Sequence, residues 1–147
     1  YSSQILPSLW YPFEYGHLEA AQKIANLFYP GNIRGLRELG YYMAEKNLTG
    51  IYKVFVKMGS PGFIISKAGT ILSTYYRPGK LETIEKGNKL FKFRFVNFES
   101  MNEALEEGIA GWVEKALELS GGKKVEVKIN THISRGASAT EYECHWQ

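Results

Sequence analysis

The chain has 147 residues, a length typical of one domain that buries roughly 70% of its unfolded surface. Hydrophobic residues make up 44% and charged residues 22%, and the formal net charge is +3. This composition is that of a soluble globular protein, and it contains no basic block of the kind that binds nucleic acid. No apolar run reaches the roughly 20 residues that insert across a bilayer. The single cysteine, Cys144, excludes an internal disulfide and is consistent with a reducing, cytoplasmic compartment.

The first half of the chain has the apolar spacing of helices. Residues 14–29 and 32–47 each predict one helix, with Pro30 and Gly31 as the stop between them and Asn32 as the N-cap of the second. Residues 49–59 favour a third helix, although their β-branched and aromatic content also allows a strand.

The segment from Ser60 to Tyr76 is predicted to be a capped amphipathic helix. Ser60 is the expected N-cap and Pro61 the first helical residue, where the missing N–H costs nothing. Gly69 is expected to allow close approach of another backbone. Tyr76, about 100° around the helix from Tyr75, is expected at the surface or in an interface. The inward stripe comprises Ile64, Ala68, Ile71 and Tyr75.

The second half changes to the spacing of strands. The segments KLETIE and KLFKFRFVNF flank KGN, which predicts a hairpin. Strict alternation puts Phe91, Phe93 and Phe95 on one face. Residues 124–133 alternate in the same way, and residues 140–146 return after a turn near Gly136 with Cys144 on the inner face.

A strong helix is predicted between these two hairpins. Ser100 and Glu103 form a capping box at its start, and two glycines end it. Its apolar stripe comprises Met101, Leu105, Ile109, Trp112, Ala116 and Leu119. Gly108 and Gly111 lie near that stripe and permit close backbone approach. The carboxylates expected on a solvated face are Glu103, Glu106, Glu107, Glu114 and Glu118.

These elements predict an α+β domain. An N-terminal helical layer packs on an antiparallel sheet of about four strands, which is made of two hairpins separated by a helix. We expect a single domain over residues 1–147. Because the chain does not begin with Met, we also expect a fragment or a trimmed chain.

The pattern offers little catalytic chemistry. His17 is expected at a helix start, and His132 and His145 lie on separate arms of the last hairpin, too far apart to share a metal. No histidine has a partner in the predicted fold that would form a Ser-His-Asp or Cys-His arrangement. We therefore predict no catalytic residue, no metal and no cofactor, and we expect Cys144 to be a buried small hydrophobe.

Five segments together resemble one bacterial family. They are SLWYPFE, GIYKVFVKMGSPGFI, STYYRPGKLE, GIAGWVEKALELSGGKKVEVK and a closing hairpin that ends in YECHW. The chain is similar to the Myxococcus-type paralogous proteins and to heme-NO-binding-like and 4-vinyl reductase domains, which resemble TRAPP transport subunits in fold. The resemblance implies a helical layer on an antiparallel sheet, often dimeric. It also implies a further helical stretch before the WYPFE region, which this sequence lacks.

Two departures from that family bear on chemistry. Many 4-vinyl-reductase-like domains carry a cysteine on each arm of the last hairpin, where this chain has His132 and Thr140. Heme-NO sensors carry a Tyr-x-Ser-x-Arg motif and a helical histidine for iron. Here the segment reads THISR, with His132 in place of the tyrosine. The resemblance therefore implies neither a cysteine metal pair nor heme.

Three hypotheses for the function follow. The leading one is a non-enzymatic, cytoplasmic module that binds a small apolar molecule or transmits a signal. Its pocket would lie between the helical layer and the sheet, because the aromatic residues exceed the needs of one small core. The residues expected to line it are Tyr52, Phe55, Phe63, Tyr75 and Trp112. The alternatives are an accessory or reductase-like domain acting on a tetrapyrrole, and an interaction module that only dimerises. A homodimer through helical faces is expected.

Overall fold

The computed structural model describes residues 9–12, 18–49, 59–77 and 79–147, without the side chains of residues 68 and 72–75. The helices and strands are α1 (Glu19–Phe28), α2 (Arg34–Thr49), α3 (Pro61–Tyr75), β1 (Lys80–Gly87), β2 (Leu90–Val96), α4 (Glu103–Leu119), β3 (Glu126–Thr131), a 3-10 turn (Ile133–Arg135) and β4 (Thr140–His145). Within these ranges, no helix has both the length and the apolar character that crossing a bilayer requires.

The four strands form one antiparallel sheet in the order β1-β2-β4-β3. Each hairpin pairs its own two strands, and β2 pairs with β4 to join the hairpins. Helix α4 connects β2 to β3 and packs on β3 and β4, while α3 packs on β1. The prediction of an α+β domain, with two hairpins separated by a helix, is confirmed.

The inner face of the sheet carries the aromatic core that the alternation predicts. Phe91, Phe93 and Phe95 are only 1–3% exposed, and the Phe93 ring stacks on Tyr142 of β4 with centroids 4.8 Å apart. The intervening side chains of β2 lie on the opposite face, where Lys92 and its neighbours form ion pairs. Deep burial of stacked aromatics makes this face the main stabilising surface of the domain.

Helices α2 and α4 touch through their backbones. A methyl group built on Gly40 would lie 1.9 Å from the carbonyl oxygen of Gly108, and one built on Gly111 would lie 1.9 Å from that of Arg37. Such distances are far below van der Waals contact, so only glycine fits at these two positions. The predicted close approach is confirmed at Gly111, and α2 is the helix that approaches. At Gly108 the backbone is also approached closely, but the glycine that this contact requires is Gly40 of α2, since a methyl group on Gly108 would lie an ordinary 3.9 Å from the carbonyl oxygen of Leu36.

The predicted capping box at the start of α4 is wrong. Asn102 is the N-cap, and its side-chain oxygen accepts a hydrogen bond from the backbone N–H of Leu105 at 3.0 Å. Ser100 lies two residues too early. The chain still turns there, with the N–H of Met101 bonded to the carbonyl of Phe98. Met101 is buried ahead of the helix and is not part of its stripe.

Helix α3 begins as predicted but differs from the prediction at its end. The N–H of Phe63 bonds to Ser60 Oγ at 3.3 Å, and Pro61 is the first helical residue. Tyr76 is not a surface residue: it is half-buried and its ring packs edge-on against Phe98, with centroids 5.8 Å apart. The helix ends at Tyr75, so helical spacing does not apply to Tyr76.

Two further predictions concern Gly69 and the end of α2. A methyl group added to Gly69 would have no described atom within 4 Å, so no backbone among the described residues approaches it there. Helix α2 runs to Thr49, past the predicted end at Asn47, and Asn32 accepts a hydrogen bond from Arg34 N–H as a cap should. The segment 50–58 lies outside the described residues, so its helical prediction stays a prediction.

Candidate functional site

Glu106 is the one charged side chain in the described ranges that is completely buried. On α4, Glu106 precedes Ala110 by four positions, Val113 by seven and Leu117 by eleven. This helical spacing places Glu106 on the same sheet-facing stripe as those three residues. The prediction that Glu106 lies on a solvated face is therefore wrong. The reason is that α4 is covered by the sheet on one side and by α2 on another, so it has no fully solvated flank.

Each of the two oxygens of the Glu106 carboxylate accepts two hydrogen bonds. Oε1 accepts from Thr140 Oγ1 at 2.7 Å and from the backbone N–H of Ser134 at 3.2 Å. Oε2 accepts from Ser134 Oγ at 2.5 Å and from His132 Nδ1 at 2.8 Å. Because an ionised carboxylate only accepts, Nδ1 is the nitrogen of His132 that carries the proton here.

The connection between β3 and β4 holds these donors in place. The hydroxyl of Thr140 accepts from the N–H of Ile133 at 3.0 Å, which leaves its own proton directed at Glu106. The turn closes at Gly136, whose φ of 92° is in the left-handed region that glycine adopts without strain. Tyr142 completes the attachment by donating to the main-chain oxygen of Glu106 at 3.1 Å.

The electrostatics favour the ionised form of Glu106. Burial raises the pKa of this carboxyl, but the hydrogen bonds from Ser134, Thr140 and His132 lower it by more, so the net pKa lies below the ordinary value of 4.5. Burial also raises the pKa of Tyr142 well above its ordinary value, so its phenol remains a proton donor. The site is a carboxylate held by four hydrogen-bond donors.

The arrangement is not a nucleophilic triad. Ser134 Oγ donates to Glu106 directly, and no hydrogen bond joins it to the His132 imidazole, so the imidazole is not placed as a general base for this hydroxyl. His132 nevertheless has a carboxylate partner that was not predicted from the sequence, because Glu106 approaches it from a different element.

His145 lies on the outer face of the sheet. Its Nε2 lies 2.7 Å from Glu143 Oε1, and the His145 side chain is 44% exposed. Hydrogen bonds from His145, Asn130 and Lys92 lower the pKa of Glu143 to about 2. Over the described part of the chain, no three His, Cys, Asp or Glu side chains come together as a metal site. His17 lies outside that part.

Cys144 is fully buried on the inner face of β4, as predicted. Burial, with a smaller contribution from the charge of Glu143, raises the pKa of the thiol to about 12. A buried thiol with so high a pKa is neither a nucleophile nor a metal ligand at neutral pH.

An apolar cavity of about 20 Å³ lies between α3, α4 and the sheet. The side chains that line it are Ile64, Ile65, Ile71, Leu81, Phe91, Phe93, Trp112, Val113, Ala116 and Leu117. Trp112 is thus the one predicted pocket residue found in this lining. Phe63 is 40% exposed on α3 and lies outside it. Tyr52, Phe55 and the side chain of Tyr75 are outside the described residues, so the full predicted set stays a prediction.

The described lining of this cavity does not fit a heme group. The lining of the cavity contains no histidine to coordinate iron, and its volume is far below the roughly 300 Å³ at which ligand pockets begin. In the THISR segment, His132 and Ser134 bond to Glu106, and Arg135 pairs with Glu103 at 2.6 Å. These side chains are already engaged within the protein.

No protein-family model matches the sequence, and no curated protein matches it either. Solved structures do match in three dimensions. An H-NOX protein from S. oneidensis in the Fe(II)NO ligation state has a TM-score of 0.75 at 12% identity, over 99% of this chain and 82% of that one. The unliganded Fe(II) H-NOX protein from K. algicida has a TM-score of 0.66 at 9% identity, over 95% and 75% of the two chains.

A second kind of protein matches as well. Trafficking protein particle complex (TRAPP) subunit 3 from Naegleria fowleri, covalently bound to palmitic acid, has a TM-score of 0.61 at 13% identity, over 88% of this chain and 93% of that one. Identities this low establish the fold and nothing finer. The chain has an H-NOX-like and TRAPP-like fold, as the sequence resemblance predicted.

Proposed function

We propose that the protein is a non-enzymatic, cytoplasmic module that binds a small apolar molecule, in a ligand-binding or signalling role. The observation that carries the proposal is the apolar cavity between α3, α4 and the sheet, which the side chains of Trp112 and Val113 help to line. Walls that are mainly apolar are typical of small-molecule sites, and the walls of this cavity are apolar throughout.

The chemistry of the lining favours an apolar chain over a planar, charged cofactor. The cavity is about 20 Å³, so a ligand enters only if the walls move apart. A thin, flexible chain requires a smaller movement of the walls than a wide, planar cofactor does. The TRAPP subunit of similar fold carries palmitic acid, which is such a chain. The other residues proposed to contact the ligand are Tyr52, Phe55, Phe63 and Tyr75.

We also propose a homodimer formed through helical faces. Its support is a group of exposed apolar side chains at the end of α1 and the start of α2, where Leu27 is 76%, Phe28 72% and Ile33 42% exposed. Exposed apolar surface of this kind is common where a second chain packs. Sedimentation of the protein at high micromolar concentration tests this proposal, and a monomer there would contradict it.

The ligand proposal is tested with cis-parinaric acid, a fluorescent fatty acid, and two matched variants. Val113→Phe adds a ring inside the cavity, while Ile84→Phe adds the same ring on β1, where the side chain is 47% exposed. We expect saturable binding by the wild type and by Ile84→Phe, and binding at least about tenfold weaker by Val113→Phe. Thermal melts first establish that both variants fold. Equal binding by all three proteins, or no binding by the wild type, would contradict the proposal.

A further inference from the structure

Four donors from one short stretch of chain converge on a single carboxylate. They are the Nδ1–H of His132, the N–H and the hydroxyl of Ser134, and the hydroxyl of Thr140, and each Glu106 oxygen accepts two of them. A free carboxylate ion bound in a dedicated site receives the same kind of coordination, in which neutral and charged donors share its acceptor positions.

Hydrogen bonds within the connection itself help to hold these donors in position. All four lie between His132 and Thr140, which are 26 and 34 residues beyond Glu106. Bonds internal to the connection fix its shape: the N–H of Gly136 bonds to the carbonyl of Ile133 at 2.9 Å, and that of Ala137 bonds to the carbonyl of His132 at 3.0 Å. Thr140 is oriented by the N–H of Ile133.

We propose that the β3–β4 connection is a binding site for a small carboxylate, which the chain fills with the side chain of its own Glu106. We call the donors of residues 132–140 the carboxylate cradle. Replacing Glu106 with alanine keeps Cβ and removes one methylene and the carboxylate, which together have the heavy atoms of an acetate ion. The ion reaches the cradle from the solvent side, where Ser134 is exposed.

The first experiment measures the melting temperature of Glu106→Ala while sodium acetate replaces sodium chloride at constant ionic strength. We expect the variant to melt below the wild type, because the donors, of which Thr140 is fully buried, lose their acceptor. We expect acetate to raise its melting temperature saturably, as a ligand of the folded state does, and to leave the wild type unchanged.

Two controls distinguish a site from a general salt effect. Glu106→Ala/Ser134→Ala removes the donor closest to the carboxylate, so acetate should raise its melting temperature less than that of the single variant. Pivalate, a carboxylate too bulky for the space left by the removed atoms, should have no effect on either. An equal response of the wild type, of the double variant or to pivalate would overturn the proposal.

A variant that does not fold in chloride is refolded from urea in acetate. Recovery of folded protein in acetate but not in chloride supports the proposal, because a ligand that binds the folded state shifts the folding equilibrium towards it. A chain that stays unfolded at high acetate contradicts it.

A second measurement uses proteins that retain Glu106. The pKa of its carboxyl is read by NMR in the wild type and in Ser134→Ala. We expect a value below 4.5 in the wild type and a higher value in the variant, since the hydroxyl bond favours the ionised form. The same pKa in both proteins would show that the cradle does not stabilise the carboxylate.

Discussion

Thr140 Oγ1 donates a 2.7 Å hydrogen bond to Glu106 Oε1 and so joins the first residue of the last strand to a helix 34 residues earlier. Both side chains are 0% exposed. When both partners are present, a buried pair of this kind changes the free energy of folding little. When one partner is lost, the protein is strongly destabilised, because the remaining group stays desolvated without a hydrogen bond. The stability of the fold therefore depends on Glu106 more than on any surface carboxylate of α4.

Replacing Glu106 with glutamine tests that dependence. The carboxamide keeps the shape but turns one oxygen into an NH₂ group that faces donors, so we expect a loss of about 2–4 kcal/mol in the free energy of unfolding. The matched control is Glu103→Gln, which breaks an exposed pair with Arg135 and should cost much less than Glu106→Gln, because solvent screens exposed ion pairs. Urea denaturation measures both, and equal losses would contradict the account.

The pH dependence of stability follows from the lowered pKa of Glu106. A folded-state pKa below the unfolded value of about 4.5 gives stability that is complete above that value and is lost as pH falls through the folded pKa. We expect the stability difference between the wild type and Glu106→Gln to be constant near neutrality and to shrink in acid. Urea midpoints at a series of pH values from about 7 to about 3 measure it. If the stability difference between the two proteins grows as the pH falls, the pKa of Glu106 is not lowered in the folded state.

The backbone contact between α2 and α4 predicts a large effect of a single methyl group. Gly111→Ala places Cβ 1.9 Å from the carbonyl oxygen of Arg37, so the helices must separate, and we expect a cost of about 3 kcal/mol. Gly69→Ala in α3 meets no described atom within 4 Å. It should be neutral or stabilising by about 0.5–1 kcal/mol through helix propensity. Thermal denaturation of both variants decides, and a neutral Gly111→Ala would show that the helices are further apart.

Cys144 should be unreactive in the native protein. Its thiol is buried and has a pKa of about 12, so the reactive thiolate is scarce near pH 8. We expect Ellman's reagent to label it only as fast as the protein unfolds, and at once in urea. Immediate stoichiometric labelling without denaturant would mean that β4 is not packed as described.

Local patterns were sufficient to predict most of the fold. Strict alternation placed Phe91, Phe93 and Phe95 on the buried face, and Ser60 with Pro61 marked the start of a helix, because these signals depend on neighbouring residues alone. The prediction failed at Asn102, where two possible caps lie two residues apart and the turn geometry at Met101 chooses between them.

The candidate site was harder to predict because its parts are far apart in sequence. Glu106 carries a charge, and helical patterning assigns charges to solvent unless a partner is known. One signal was present: Glu106 continues the spacing of Ala110, Val113 and Leu117, a second apolar stripe of α4. Its donors come from another element, so only the tertiary structure brings them together.

The most direct test of the proposed function is native mass spectrometry of the protein purified from its own host without detergent or added lipid. The account predicts a fraction of chains that carries a bound apolar molecule, which organic extraction removes and which is absent from Val113→Phe prepared in parallel. If the purified protein carries no such molecule, and takes up none when it is incubated with lipids extracted from the host cells, the proposed function is contradicted.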